Sequence, residues 1–291
     1  VNQEKIKDIE EMMKICPFGA IEYIDGKIQM NAACKMCKLC VKKGPKGAIE
    51  YIEDQIKEID KDEWKGIAVY VDHVKGKIHP VTYELIGKAI ELAEKINQQV
   101  YAVFIGNNIL SEAEELLHYG VDKVFVYDDE ELKDFRIESY TSAFEDFIND
   151  NKPTAILVGA TTIGRSLAPR VAARFKTGLT ADCTVLEMKE NTDLVQIRPA
   201  FGGNIMAQIV TPNSRPQLAT VRYKVMEAPE RSETAKGEIV TCNVDKEKLK
   251  SGISVIEIKE KIIERGISDA EVIVAAGRGV KSEKDLKIVK E

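Results

Sequence analysis

Ala155-Ile156-Leu157-Val158-Gly159-Ala160-Thr161-Thr162-Ile163-Gly164-Arg165-Ser166 reads as a buried strand that ends on a glycine and turns at once into a helix over about 163–175. Short apolar runs bounded by turn residues are the signature of strands buried on both faces. The same unit recurs upstream. Gly66–Val71, Val100–Ile105 and Val124–Tyr127 are apolar strand-like runs. Between them, 82–97 places Leu85, Ile86, Ala89, Ile90, Ala93 and Ile96 on one helical face, and helices are expected over about 110–119 and 138–150. Strands alternating with helices predict a doubly wound, mainly parallel α/β domain with its sheet covered on both faces. Past residue 182 the helical pattern gives way to added strands, Cys183–Met188, Val195–Arg198, Ile205–Val210 and Leu218–Arg222. The polar segment 227–237 reads as a loop or spacer. Glu271–Ala276 reads as a strand opening a further βα unit.

Around this domain, 291 residues leave room for a second one, and 44% hydrophobic content suffices for a sizeable core. A net charge of −6 does not favour a nucleic-acid partner, which usually calls for a basic excess. No apolar run approaches the roughly 20 residues that span a bilayer. The polar start at Val1-Asn2-Gln3 carries no signal-peptide pattern, and a first residue other than methionine points to a trimmed start. Six cysteines, four of them before residue 41, are not spread like a secreted disulfide scaffold and suit a reducing cytoplasm.

Those four cysteines have a pattern. Cys34-Lys35-Met36-Cys37-Lys38-Leu39-Cys40 is a three-thiolate loop, and Cys16-Pro17 is a lone cysteine–proline step upstream. Bacterial ferredoxins bind clusters through C-x2-C-x2-C-x3-C-P, the fourth cysteine serving the other cluster. An internal repeat explains the arrangement. Residues 16–24 and 44–52 align at an offset of 28 with seven of nine positions identical, from the Pro17/Pro45 pair to Ile24/Ile52. The same offset sets Ile6, Ile9 and Met12 against Cys34, Cys37 and Cys40, and Gly44 against Cys16. One set has lost all four ligands and the other keeps Cys16, Cys34, Cys37 and Cys40. The spacing predicts a single 4Fe-4S cluster on these four within a ferredoxin-like domain over 1–60. Structural zinc more often pairs its ligands two and two, and buried free thiols are the other alternative. Lys35, Lys38, Lys42, Lys43 and Lys46 surround the loop. They read either as a docking patch for an acidic partner or as an ordinary solvated face.

A second constellation sits at Gly159–Ser166. It is one residue from the pattern G-x4-G-K-[ST], with Arg165 in place of the lysine. It lies where α/β sheets bind ligands, at the carboxyl end of a strand. It reads as an anion-facing helix start, or as a tight strand–helix turn capped by Thr162. An NTPase is disfavoured without the lysine, so a nucleotide-binding α/β protein with a structural cluster is the alternative reading. The glycines of Arg198-Pro199-Ala200-Phe201-Gly202-Gly203-Asn204 allow positive φ, as in a hairpin turn. His73, His79 and His118 receive no role, and Cys183 and Cys242 read as buried thiols in strand-like runs.

Gly159–Arg165, Leu167-Ala-Pro-Arg-Val-Ala-Ala-Arg174, Thr177-Gly-Leu-Thr-Ala-Asp-Cys183, Arg198-Pro-Ala-Phe-Gly-Gly-Asn-Ile-Met206 and Arg215-Pro-Gln-Leu-Ala-Thr-Val-Arg222 together resemble the alpha subunit of electron-transfer flavoproteins over about residues 66–291. The cysteine-bearing extension resembles the bifurcating type from anaerobes. The resemblance implies an electron-transfer subunit relaying electrons between flavins and the 4Fe-4S cluster. It implies a beta-subunit partner and a flavin dehydrogenase of the acyl-CoA or 2-hydroxyacid type, with ferredoxin as a further partner. It also implies a first alpha domain over 61–262 and the start of a C-terminal FAD-binding domain over 263–291. Arg165 is similar to the residue approaching the FAD shared with beta. Arg278, in Ala276-Gly277-Arg278-Gly279, is similar to a contact of the second FAD. The later segments of that FAD domain do not follow in this sequence, so this stretch alone is not expected to retain the second FAD.

Overall fold

A computed structural model describes residues 1–31, 33–51, 59–259, 267, 270, 272–282 and 285–287. The chain divides into two compact units, Val1–Ile59 and Asp60–Glu291.

In the first unit, helix α1 (Ile9–Lys14) begins at Asp8, whose carboxylate accepts the Glu11 N–H, a standard N-cap. Strands β1 (Ile21–Ile24) and β2 (Lys27–Met30) form an antiparallel hairpin. Its turn, Asp25-Gly26, has φ of 52° and 75°, the left-handed pair that two-residue hairpins require. Helix α2 (Leu39–Lys43) opens on Lys38 in the left-handed region. The sequence repeat is also a structural one. Ala20 and Ala48 are both fully buried, Ile21 and Ile49 both nearly so, and Gly19 and Gly47 both have positive φ. The Ala20 carbonyl accepts from Asn31 N and the Ala48 carbonyl from Asn2 N. Met12, Ile21, Ile28 and Ile49 form the core, with Ile6, Ile9, Cys16 and Cys40 packed on it.

The second unit is the doubly wound α/β fold. Its strands are β3 (Ile67–Tyr70), β6 (Val100–Gly106), β7 (Lys123–Asp128), β8 (Ala155–Gly159), β9 (Leu179–Cys183), β13 (Gln217–Val221) and β14 (Glu238–Cys242); a small hairpin, β4 (His73–Val74) and β5 (Lys77–Ile78), follows β3. They make a parallel seven-stranded sheet in the order β14-β7-β6-β3-β8-β13-β9. Helices α3 (Val81–Ile96) and α4 (Leu110–Leu116) cover one face, and α5 (Ile137–Asn151) and α6 (Thr162–Arg174) the other. Along β3 the side chains alternate between the two cores, Ile67 and Val69 to one, Ala68 and Tyr70 to the other. That two-sided burial is why the strands read as unbroken apolar runs. A three-stranded antiparallel sheet of β10 (Val185–Met188), β11 (Leu194–Ala200) and β12 (Ile205–Ile209) is inserted between β9 and β13. Helix α7 (Lys246–Leu249) follows β14.

Three details differ from the sequence expectation. The run Cys183–Met188 is not one strand: the chain leaves the parallel sheet at β9 and joins the antiparallel one at β10, with Asp182 at φ 57° at the change. The start of α6 is capped by Thr161, not Thr162, because Thr161 Oγ1 accepts the Gly164 N–H. Val272–Ala276 forms no strand, and Val272, Ile273 and Val274 are exposed. A strand needs a neighbouring edge for its N–H and C=O groups, and Val272–Ala276 is paired with none among the described residues; Glu271 lies outside those residues. Segment 227–237 is a loop, held along α4 by Ser232 N to His118 O, Lys236 N to Leu117 O and the Arg231–Glu115 ion pair.

The strand–helix step at β8–α6 leaves no room for a side chain. A Cβ on Gly164 would stand 1.9 Å from the Gly159 carbonyl oxygen. Gly164→Ala therefore displaces α6 and should lower stability by at least the ~1–3 kcal/mol typical of overpacking. Gly252→Ala, with open space around it, should be near neutral. Urea unfolding of the two variants checks this, and equal midpoints would contradict the close-approach account.

Candidate functional site

The four cysteines at 16, 34, 37 and 40 line one cavity of about 230 Å³ in the first unit. Cys16 comes from the step before β1, where Pro17 and Gly19 turn the chain. Cys34 and Cys37 come from the loop into α2, and Cys40 from its first turn. Cys34 and Cys37 are exposed, Cys16 and Cys40 half-buried. Left-handed residues alternate in the loop, Met36 at φ 50° and Lys38 at 60°. Alternation of this kind turns successive N–H groups toward one concavity and suits an anion or cluster. The Ala20 N–H donates to Cys16 Sγ at 3.3 Å. Burial pushes the Cys40 thiol up; backbone N–H groups of Cys40 and Val41 oppose this, and Cys34 and Cys37 add to it. Among the described residues, no three His, Cys, Asp or Glu side chains converge as they would on a single metal ion.

In the other half of the repeat, apolar side chains stand at the corresponding positions. Met12 is 1% exposed, and its Cε lies 3.1 Å from where a Gly44 Cβ would stand. Ile6 and Ile9 pack on the same core. Around the cysteine loop, Lys35, Lys42, Lys43 and Lys46 are exposed, while Lys38 is half-buried with its Nζ 3.8 Å from the Tyr51 ring centroid.

In the second unit the chain reverses direction across the sheet between β3 and β8, the place where doubly wound folds open a ligand crevice at the carboxyl ends of strands. Asp72 follows β3 and Thr161 follows β8, and the Thr161 hydroxyl donates to the Asp72 carboxylate. Burial raises the pKa of Asp72 above the ordinary carboxylate value. Helix α6 starts only two residues after β8. Residues 162–166 of the G-x4-G-K-[ST]-like stretch are already helical, so it does not form the extended glycine-rich loop of that motif. Arg165, on the first turn of α6, is about half exposed and bonds Asp182 through Nη2 at 3.2 and 3.3 Å. Arg222, at the end of β13, bonds the same carboxylate at 2.7 Å. Arg222 chiefly, with Arg165 adding, holds the Asp182 carboxyl below its ordinary range.

Arg278 lies exposed in a turn, with Val280 N donating to Gly277 O. Of the 198–204 segment, Arg198–Ala200 end β11 and 201–204 form the hairpin turn into β12. Phe201, Gly202 and Gly203 all have positive φ there, and Phe201 is 81% exposed. His73 is structural: Nε2 donates to Ile105 O and Nδ1 accepts from Gly76 N, which fixes a neutral ring. Burial pushes the Cys183 thiol up to about 12. Asp182 and Tyr51 stood inside quoted motifs without a role. Their partners lie elsewhere in the chain, and only the fold reveals them.

The electron transfer flavoprotein domain matches residues 67–247. The chain is 62% identical over 284 residues to the LctC subunit of a lactate dehydrogenase (NAD(+), ferredoxin) from Acetobacterium woodii, an alignment covering 97% of this chain and 68% of that protein. That coverage takes in the cysteine-bearing unit. It is 42% identical to the electron transfer flavoprotein subunit alpha of Megasphaera elsdenii, over 80% of this chain and 70% of that one. It is 36% identical to the acryloyl-CoA reductase electron transfer subunit beta of Anaerotignum propionicum, over 76% and 67% of the two chains.

Proposed function

The chain belongs to the electron transfer flavoprotein family as an alpha-type subunit, and on that premise we propose that it relays electrons between flavin and a 4Fe-4S cluster held by Cys16, Cys34, Cys37 and Cys40 in a bifurcating complex. The observation that carries this reading is the gathering of all four cysteines on one cavity while the repeat-related positions are filled by Met12, Ile6 and Ile9. The donor set fits such a cluster. Four thiolates stand around a cavity rather than converging on a point, one sulfur accepts a backbone N–H, and the loop carries left-handed residues at 36 and 38. A bound cluster of this type supplies a one-electron redox centre. The chain's own residues hold it, keep water from its buried side through Ala20, Ile21 and Ile49, and surround its mouth with positive charge.

The family binds FAD. In this reading Arg165 faces a flavin shared with a beta subunit and Arg278 belongs to the start of a second FAD domain, with the divisions 1–60, 61–262 and 263–291. The Arg165–Asp182–Arg222 group supports the first assignment. Two guanidinium groups share one carboxylate, so a net positive charge remains where a reduced, anionic flavin would form. The dehydrogenase partner is of the 2-hydroxyacid type rather than the acyl-CoA type, since the relative named for lactate is 62% identical and the one named for acryloyl-CoA 36%. Ferredoxin is the carrier whose acidic surface would meet the lysines. A cytoplasmic setting suits six free cysteines; among the described residues no helix is long and apolar enough to cross a membrane.

Five measurements test this. Anaerobically purified wild type should contain iron and sulfide in equal amounts, and zinc in their place would overturn the cluster. Cys16→Ala should lose the cluster or keep a three-iron form by low-temperature electron paramagnetic resonance, and an intact four-iron signal would exclude Cys16 as ligand. Gly44→Cys should gain no second cluster, because Met12 occupies the space. In the assembled complex, Arg165→Ala should move the beta-side flavin to a more negative potential with the cluster signal unchanged; unaltered flavin potentials would remove Arg165 from the site. Reduction by an acidic carrier should slow as salt rises, since the Debye length shrinks from about 10 Å at 0.1 M to about 3 Å at 1 M. A rate flat across that range would make the lysines an ordinary solvated face.

A further inference from the structure

Of the five lysines around the cysteine loop, Lys38 behaves differently. Lys35, Lys42, Lys43 and Lys46 are exposed, whereas Lys38 is half-buried and its Nζ sits over the Tyr51 ring at 3.8 Å. Both residues line the cavity that the four cysteines line. Lys38 is held there by its backbone, left-handed at the first step into α2, between Cys37 and Cys40. Tyr51 follows 13 residues later, in the same copy of the repeat. The repeat supplies an internal comparison. At the offset of 28, Tyr51 corresponds to Tyr23, but Lys38 corresponds to Glu10. Glu10 is exposed and paired with Lys14. The half that kept its cysteines thus has a cation over its tyrosine, and the half that lost them has an acid at that position.

Resting on the cluster reading above, we propose that Lys38 and Tyr51 form a single cover over the cysteine cavity, in which the ring pins the ammonium beside the ligand thiolates so that its charge sets the redox potential of the group they hold. An ammonium over an aromatic face is attracted by the ring quadrupole and loses its freedom to swing into water. A positive charge fixed at a partly desolvated position acts on its neighbours far more strongly than one on a mobile exposed side chain. Because reduction adds negative charge to the site, the pinned cation favours the reduced form. The ring's apolar body covers the same opening and limits access of water and chelators. Lys38 and Tyr51 are positioning residues in this account, since neither ligates iron.

The test is a redox titration of the full chain, loaded anaerobically and followed by electron paramagnetic resonance. Lys38→Gln and Tyr51→Leu should each move the midpoint to a more negative potential, and by more than Lys35→Gln does. The double variant should match the larger single shift rather than their sum, the mark of two residues acting as one unit. Tyr51→Phe keeps the ring and should keep the wild-type potential. Tyr51→Leu should also release iron to a chelator faster. Equal shifts in Lys38→Gln and Lys35→Gln, additive shifts in the double variant, or a Tyr51→Phe that behaves as Tyr51→Leu would overturn the proposal while leaving the cluster in place. Should Tyr51→Leu fail to load, the comparison of Lys38→Gln with Lys35→Gln decides alone. A wild-type chain that takes up no iron and sulfide would instead overturn the cluster reading, and this one with it.

Discussion

A parallel strand can be joined to its neighbour only by a crossover, and crossovers bury both faces of the sheet. That constraint governs the second unit. With α3 and α4 on one face and α5 and α6 on the other, the strands' side chains are spent on two cores, and chemistry is confined to the ends of the strands. At the carboxyl end the fold places Asp72, Thr161, Arg165, Asp182 and Arg222. Closeness there depends on glycine: with any Cβ at Gly164 the first turn of α6 could not sit on β8, and Arg165 would be carried away with it. The inserted antiparallel sheet follows from the same constraint, since extra strands cannot add to a covered face and leave from the edge strand β9 instead.

The first unit solves a different problem. Fewer than 60 residues bury little apolar surface, and small natural scaffolds often add a metal or a disulfide to it. Among the described residues the core cluster is Met12, Ile21, Ile28 and Ile49, with Cys16 and Cys40 packed against it. The repeat shows two ways of filling the same positions. Met12 reaches into the space beside Gly44, where its apolar side chain packs on the core. At the corresponding positions of the other copy stand cysteines that line a cavity.

How much of this was legible in the sequence follows from which forces act locally. Strands such as Val100–Gly106 announced themselves because two-sided burial leaves no polar residue in the run, and α3 because Leu85, Ile86, Ala89 and Ala93 fall on one face. The division of Cys183–Met188 did not show. Nothing in the run marks the change, which is a switch of partner strands, Cys183 still beside β13 and Val185 already beside β11. Thr161 and Thr162 have the same chemistry, and the cap was decided by Asp72, 89 residues away, which takes the Thr161 hydroxyl. Val272–Ala276 carried the strand pattern without an edge to join. The cysteine spacing stood in the sequence because the three-cysteine loop is local, and the structure adds that Cys16 lines the same cavity; Lys38 and Tyr51 were each visible, but their contact was not.

Electrostatics in the two units follow one rule with different means. Each holds a cation against a partner that limits its freedom to swing into solvent. At the carboxyl end of the sheet an isolated guanidinium would be mobile. Asp182 anchors Arg165 and Arg222 together, and because one carboxylate serves two arginines the anchoring does not cancel the charge. Beside the cysteine cavity the Tyr51 ring lies against the Lys38 ammonium, attracts it through its quadrupole and brings no charge of its own next to the four cysteines. The two contacts differ in what they add to their surroundings: the shared acid at the sheet end offsets part of the charge of two arginines, whereas the ring leaves the charge balance around the cysteines as it was.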